Sequence, residues 1–124
     1  MRIKISIGNI TLYAKLNNSP TAKKIWDILP LKASFNTWGD EIYFSVPVEA
    51  QLDETAKEEV KVGQLGYWPQ GKAFCIFFGP TPISEEGKII PASAVNIIGE
   101  IEGDPTCLKD AVNEKEIILE KAEG

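Results

Sequence analysis

Histidine is absent from this 124-residue sequence, and arginine occurs once, at position 2. Without histidine, the Ser-His-Asp and Cys-His catalytic constellations are excluded, as are zinc and iron sites built on imidazole. A lone arginine within a formal net charge of -5 argues against a phosphate-tracking surface, so nucleic acid is not an expected partner. Cysteine is nearly absent too. Cys75 and Cys107 have neither zinc-knuckle nor CxxC spacing; they read as two buried thiols, with a single disulfide between them as the alternative. Long hydrophobic runs are missing. The longest, Ala73 to Phe78, is far short of the roughly 20 residues that span a bilayer, and Met1-Arg2 leads into a strand-like pattern rather than a signal peptide. The expectation is a cytoplasmic protein with no membrane contact.

What is present is strand-like alternation. Ile3, Ile5 and Ile7 alternate with polar residues, and after Gly8-Asn9 the pattern resumes through Ile10, Leu12, Ala14 and Leu16. Ser19-Pro20 supplies a cap and a first-turn proline, and Ala22, Ile25, Trp26 and Leu29 fall on one helical face until Pro30. A second hairpin is expected from Ala33, Phe35 and Thr37, through a turn at Trp38-Gly39-Asp40, to Ile42, Phe44 and Val46. Residues 51 to 59 read as a loop or a weak helix. Val62 to Trp68 and Ala73 to Phe78 predict two strands joined across Pro69-Gln70-Gly71, the second so apolar that both faces must be covered. Ala92 to Ile101 predicts a strand with Val95, Ile97, Gly99 and Ile101 on one side. Asp104-Pro105 repeats the cap-then-proline signal before a short helix around Leu108 to Val112, and Glu116 to Glu120 predicts a last strand. One mainly β domain over residues 1–124 follows: about eight antiparallel strands closed into a barrel, with two short helices.

Gly71-Lys72-Ala73-Phe74-Cys75-Ile76-Phe77, then Glu86-Gly87-Lys88, then Gly99-Glu100-Ile101-Glu102-Gly103, resemble in order three segments of cyclophilins. The run from Trp68-Pro69-Gln70-Gly71 to Phe77-Phe78-Gly79-Pro80-Thr81-Pro82 is similar to small bacterial and archaeal cyclophilin-like proteins over nearly the whole chain. The resemblance implies the cyclophilin barrel, a proline-containing peptide or protein segment as partner, and peptidyl-prolyl isomerisation as the activity. The departures weaken that last implication. Cyclophilins set a guanidinium against the prolyl nitrogen to lower a rotation barrier near 18–20 kcal/mol, and beyond Arg2 this chain has none. A lysine ammonium lacks the planar fork of arginine. The resemblance places Cys75 where the family's proline pocket has a Phe, Trp68 where it has an Ala, and Ser84 and Ile89 near its Trp and His. Catalysis is therefore expected to be weak or absent, and no catalytic residue is assigned.

The candidate peptide-binding residues are Trp38, Tyr43, Trp68, Cys75 and Phe78, an aromatic groove able to stack a proline ring. The competing reading packs these aromatics beneath helices or at the barrel ends. The acidic pairs Asp40-Glu41, Asp53-Glu54 and Glu58-Glu59 match no calcium loop and read as solvated charge. Apolar neighbours should raise the Cys75 thiol pKa and make it a poor nucleophile. Neither a metal nor a cofactor is expected, since the glycines form no phosphate-binding motif. A non-enzymatic module for a small ligand or protein partner is the alternative function.

Overall fold

The computed structural model describes residues 1–122. β1 (Arg2–Ile7) and β2 (Ile10–Leu16) form the opening hairpin, pairing Ile3 with Ala14 and Ile5 with Leu12. Ser19 caps α1 (Pro20–Asp27) through its hydroxyl, which accepts from the Ala22 N–H. A cis peptide joins Leu29 to Pro30. β3 (Leu31–Ser34), β4 (Asn36–Thr37) and β5 (Glu41–Ser45) follow, then the short β6 (Ala56–Lys57) inside the acidic segment. β7 (Gln64–Trp68) and β8 (Ala73–Phe77) flank a single 3-10 turn at Pro69–Gly71. β9 (Val95–Ile101), a 3-10 helix (Pro105–Ala111) capped by Asp104, and β10 (Glu116–Lys121) complete the chain. Among the described residues, no helix is long and apolar enough to cross a membrane.

The strands form one antiparallel sheet in the order β3-β10-β1-β2-β9-β7-β8-β5-β4, with β6 added beside β9. It curls around a core containing Ile3, Ile5, Ile25, Phe44, Leu65, Tyr67, Phe74, Ile76 and Leu119. The expected closure by hydrogen bonds is not found: the two ends of the sheet, β3 and β4, do not pair. They are consecutive in sequence, and the backbone itself crosses the seam at Phe35. That residue buries its ring in the core and donates its N–H to Lys115 O at 3.0 Å. The second hairpin is corrected at the same point, because β3 pairs with β10 and only Asn36 and Thr37 pair with β5.

A second correction falls in β9. Leu65 faces Gly99, but the next residue, Gly66, faces Ile97, so β9 carries an extra residue opposite β7. The bulge shifts the alternation. Val95 and Ile97 lie with an outer cluster, whereas Ile98 and Ile101 turn into the core. Gly99 has no room for a Cβ, because the Lys15 carbonyl oxygen of β2 occupies that space.

Candidate functional site

β8 is buried along its whole length, and it divides two environments. Phe74, Ile76 and the following Phe78 point into the core; Ala73, Cys75 and Phe77 point outward beneath a second apolar cluster with Val60, Ile89 and Val95. The loop 79–94 holds itself over that outer face. Ser84 Oγ accepts from the N–H groups of Thr81 (2.9 Å) and Ile90 (3.0 Å), the Thr81 hydroxyl donates to Ile90 O, and Val60 N–H donates to Ile89 O at 2.9 Å. Ser84 and Ile89 thus organise the loop, and neither lines the pocket described next.

Where the loop leaves the outer face uncovered, a pocket of about 170 Å³ remains, lined by Trp38, Glu41, Tyr43, Trp68, Cys75, Pro91, Ala92 and Val95. Register explains the assembly. Tyr43 of β5 lies opposite Cys75 of β8, Cys75 lies opposite Gly66 of β7, and Glu41 precedes Tyr43 by two residues on the same outward face. Trp38 arrives from the tight turn before β5. Its N–H donates to Glu41 O, Gly39 adopts φ +60°, and Asp40 N–H donates to Pro80 O at 2.9 Å, fixing the turn against the loop.

Trp68 forms a wall of the pocket and does not fill it. Its indole N–H donates to Ser93 Oγ at 2.6 Å. Its six-membered ring lies so close to Gly71 that a Cβ there would stand 2.7 Å from two ring carbons. Four of the five candidate residues, Trp38, Tyr43, Trp68 and Cys75, are therefore brought together. Phe78 is not: it is buried in the core on the other side of the sheet, because it continues the inward alternation of Phe74 and Ile76.

Glu41 was not among the candidates and corrects the reading of Asp40-Glu41 as solvated charge. It is only 6% exposed, and no lysine or arginine lines its pocket. Burial pushes its carboxyl up to about 7, opposed in smaller measure by the neighbouring Cys75 thiol. The thiol is raised well above its ordinary value by burial first and by the Glu41 charge second. It is a neutral neighbour of the carboxyl and a poor nucleophile, as its apolar surroundings implied. Glu41 had one legible signal: the i, i+2 step that places it beside Tyr43 and opposite Ile42 and Phe44.

The remaining candidate charges lie elsewhere. Arg2 donates to Glu102 through Nε (3.1 Å) and Nη2 (3.1 Å) and stacks over Tyr13, on a strand three places from β7 in the sheet. Lys72 is paired with Glu49 at 2.6 Å. Asp53 is also more than solvated charge, because its carboxylate accepts from Thr55 and from Thr21, whose hydroxyl in turn accepts from the buried Asn96 amide. Cys75 and Cys107 are both free thiols, and Cys107 is half-buried where a buried one was expected.

No protein of curated function matches this chain. Among solved structures, it is similar to the hypothetical protein AF2241 from Archaeoglobus fulgidus, with 42% identity and a TM-score of 0.83, covering 98% of this chain and 95% of that one. It also shares its fold with McbB, determined in complex with tryptophan, at 16% identity and a TM-score of 0.73; the match covers 98% of this chain and 45% of McbB. The cyclophilin-like family model matches residues 1–120. The order of matching segments, the curled antiparallel sheet and these likenesses agree: the chain belongs to the cyclophilin-like family.

Proposed function

We propose that this protein is a binding member of its family, taking a single apolar ring, such as the proline of a peptide segment, in the pocket between Trp38, Tyr43 and Trp68. Prolyl isomerisation is weak or absent. The observation that carries the reading is the pocket itself: an aromatic-walled cavity of about 170 Å³ on the outer face, open where Trp68 stands aside. Its volume lies below the roughly 300–1,000 Å³ of drug-sized sites, so the occupant is one ring or a fragment of something larger. The case against catalysis is the absence of a guanidinium from the lining, since the chain's one arginine is bound to Glu102. The family resemblance and the soluble-type composition support a cytoplasmic setting.

The test is an NMR titration of the labelled protein with a short Xaa-Pro peptide, following exchange between the peptide's cis and trans forms in the same sample. Indole shifts at Trp38 and Trp68 without faster exchange are expected. Acceleration matching an ordinary cyclophilin would overturn the claim about catalysis, and unmoved indoles would remove proline as the ligand.

A further inference from the structure

The wall and the floor of the pocket differ in kind. Three aromatic side chains surround it, while the carboxyl of Glu41 is buried there without a cationic partner. An uncompensated buried carboxylate is costly, and the usual remedy of a nearby lysine or arginine is missing. The neighbouring depression, which shares Pro91 and Ala92 with the pocket, is lined by Glu58, Glu59 and Glu85 against Lys88 alone. The approach to the pocket is therefore acidic as well.

We propose that the pocket takes a small organic ammonium ion, with its charge facing Glu41 and its carbon substituents against Trp38, Tyr43 and Trp68. This deepens the reading of the site as a ring- or fragment-sized binding pocket and rests on it. The faces of Trp and Tyr rings attract an ammonium through their quadrupoles, most strongly when water is excluded. The carboxylate supplies the counter-charge, and the acidic approach raises the local concentration of cations. A neutral ligand of the same shape would leave Glu41 uncompensated.

The arrangement also sets the pH dependence. The groups facing Glu41 are the Cys75 thiol from β8, Tyr43 from its own strand and Trp38 from the adjoining turn; Val95 of β9 is apolar, and the loop contributes Pro91 and Ala92. Glu41 is therefore the group that titrates near neutrality. A cation of fixed charge requires it ionised, so affinity rises with pH through about 7 and then levels off.

Calorimetric titration of the full chain with choline, and with its uncharged isostere 3,3-dimethyl-1-butanol, tests this. Choline is expected to bind about tenfold or more tightly than the alcohol. Its affinity should rise by about tenfold in total between pH 5 and 8 and flatten above about 8, while that of the alcohol stays level. Glu41→Gln should weaken choline about tenfold and abolish its pH dependence, and Trp68→Phe serves as a second variant that keeps the charge but changes the wall. Equal binding of the two probes, or choline binding indifferent to Glu41→Gln, would overturn the ammonium assignment and leave the pocket standing. Failure of choline to bind would also overturn it, and the Xaa-Pro titration then decides separately whether the pocket reading survives. Choline binding without peptide binding would keep the ammonium and discard the proline.

Discussion

The two faces of the β5-β8-β7-β9 portion of the sheet are made by alternate residues of the same strands, yet they are finished differently. Inward, Phe44 and Phe74 stack at 5.2 Å between ring centroids, and Tyr67 and Ile76 are fully buried. The one phenol there is satisfied by donating to Val48 O at 2.5 Å. Outward, the same strands present Glu41, Tyr43, Trp68 and Cys75 around an unfilled space. A larger apolar residue at Glu41 or Cys75 would close that space and bury more surface. The inner face is thus arranged for stability, and the outer face retains a cavity and an ionisable group that stability alone does not explain.

The sharpest break of this comparison is on the inner face. Phe74→Ala should cost about 3–5 kcal/mol, read by chemical denaturation, because it removes a fully buried ring and leaves a cavity beside Phe44. A loss below about 1 kcal/mol would mean that the core is loosely packed there. The opposite sign is expected on the outer face. Holding Glu41 at about 7, against an ordinary 4.5, means that the folded state favours the protonated form. Its stability contribution is fully present below 4.5 and is lost as the pH rises through 7, so the ionised carboxyl costs on the order of 3 kcal/mol at pH 8. Glu41→Gln should recover part of this, about 1–3 kcal/mol at pH 8, with the advantage fading towards pH 4.5. A pH-independent difference would show that burial of the charge is not its cause.

Smaller effects sharpen the boundary of the pocket. Gly71→Ala should push the Trp68 ring off its seat, cost about 1–2 kcal/mol, and shift the tryptophan emission. Unchanged emission would mean that the backbone yields in place of the ring. Least in energy but clear in readout, a thiol reagent at pH 8 should label half-buried Cys107 well before Cys75, whose thiol is enclosed and held neutral. Faster labelling of Cys75 would mean that the outer face opens more readily than its packing implies.

Much of the framework was legible from local pattern. The β1–β2 hairpin follows from alternation at Ile3, Ile5 and Ile7; α1 follows from Ser19 and Pro20; the double burial of β8 follows from its unbroken apolar run. The aromatic members of the site were legible because Trp38, Tyr43 and Trp68 sit at strand ends or on the face opposite the regular core positions. Phe78 was misplaced because the unbroken apolar run of residues 73–78 hides which of its alternate positions face the core, and Phe78 continues the inward set of Phe74 and Ile76.

The sequence by itself determined most of the strands, the caps, the absence of histidine and of any arginine beyond Arg2, and the family to which the chain belongs, since each is a property of residue identity or of short-range period. Tertiary structure alone decided that the sheet ends without pairing at Phe35, that β9 bulges opposite Leu65 and Gly66, and that Glu41 is buried beside Cys75. The physical reason is one of range. Alternation states which side of a strand a residue occupies, but the fate of that side depends on what covers it. Here the cover is Trp38, Tyr43 and Trp68 together with Pro91 and Ala92, which enclose a carboxylate that its own neighbours in sequence would have left in water.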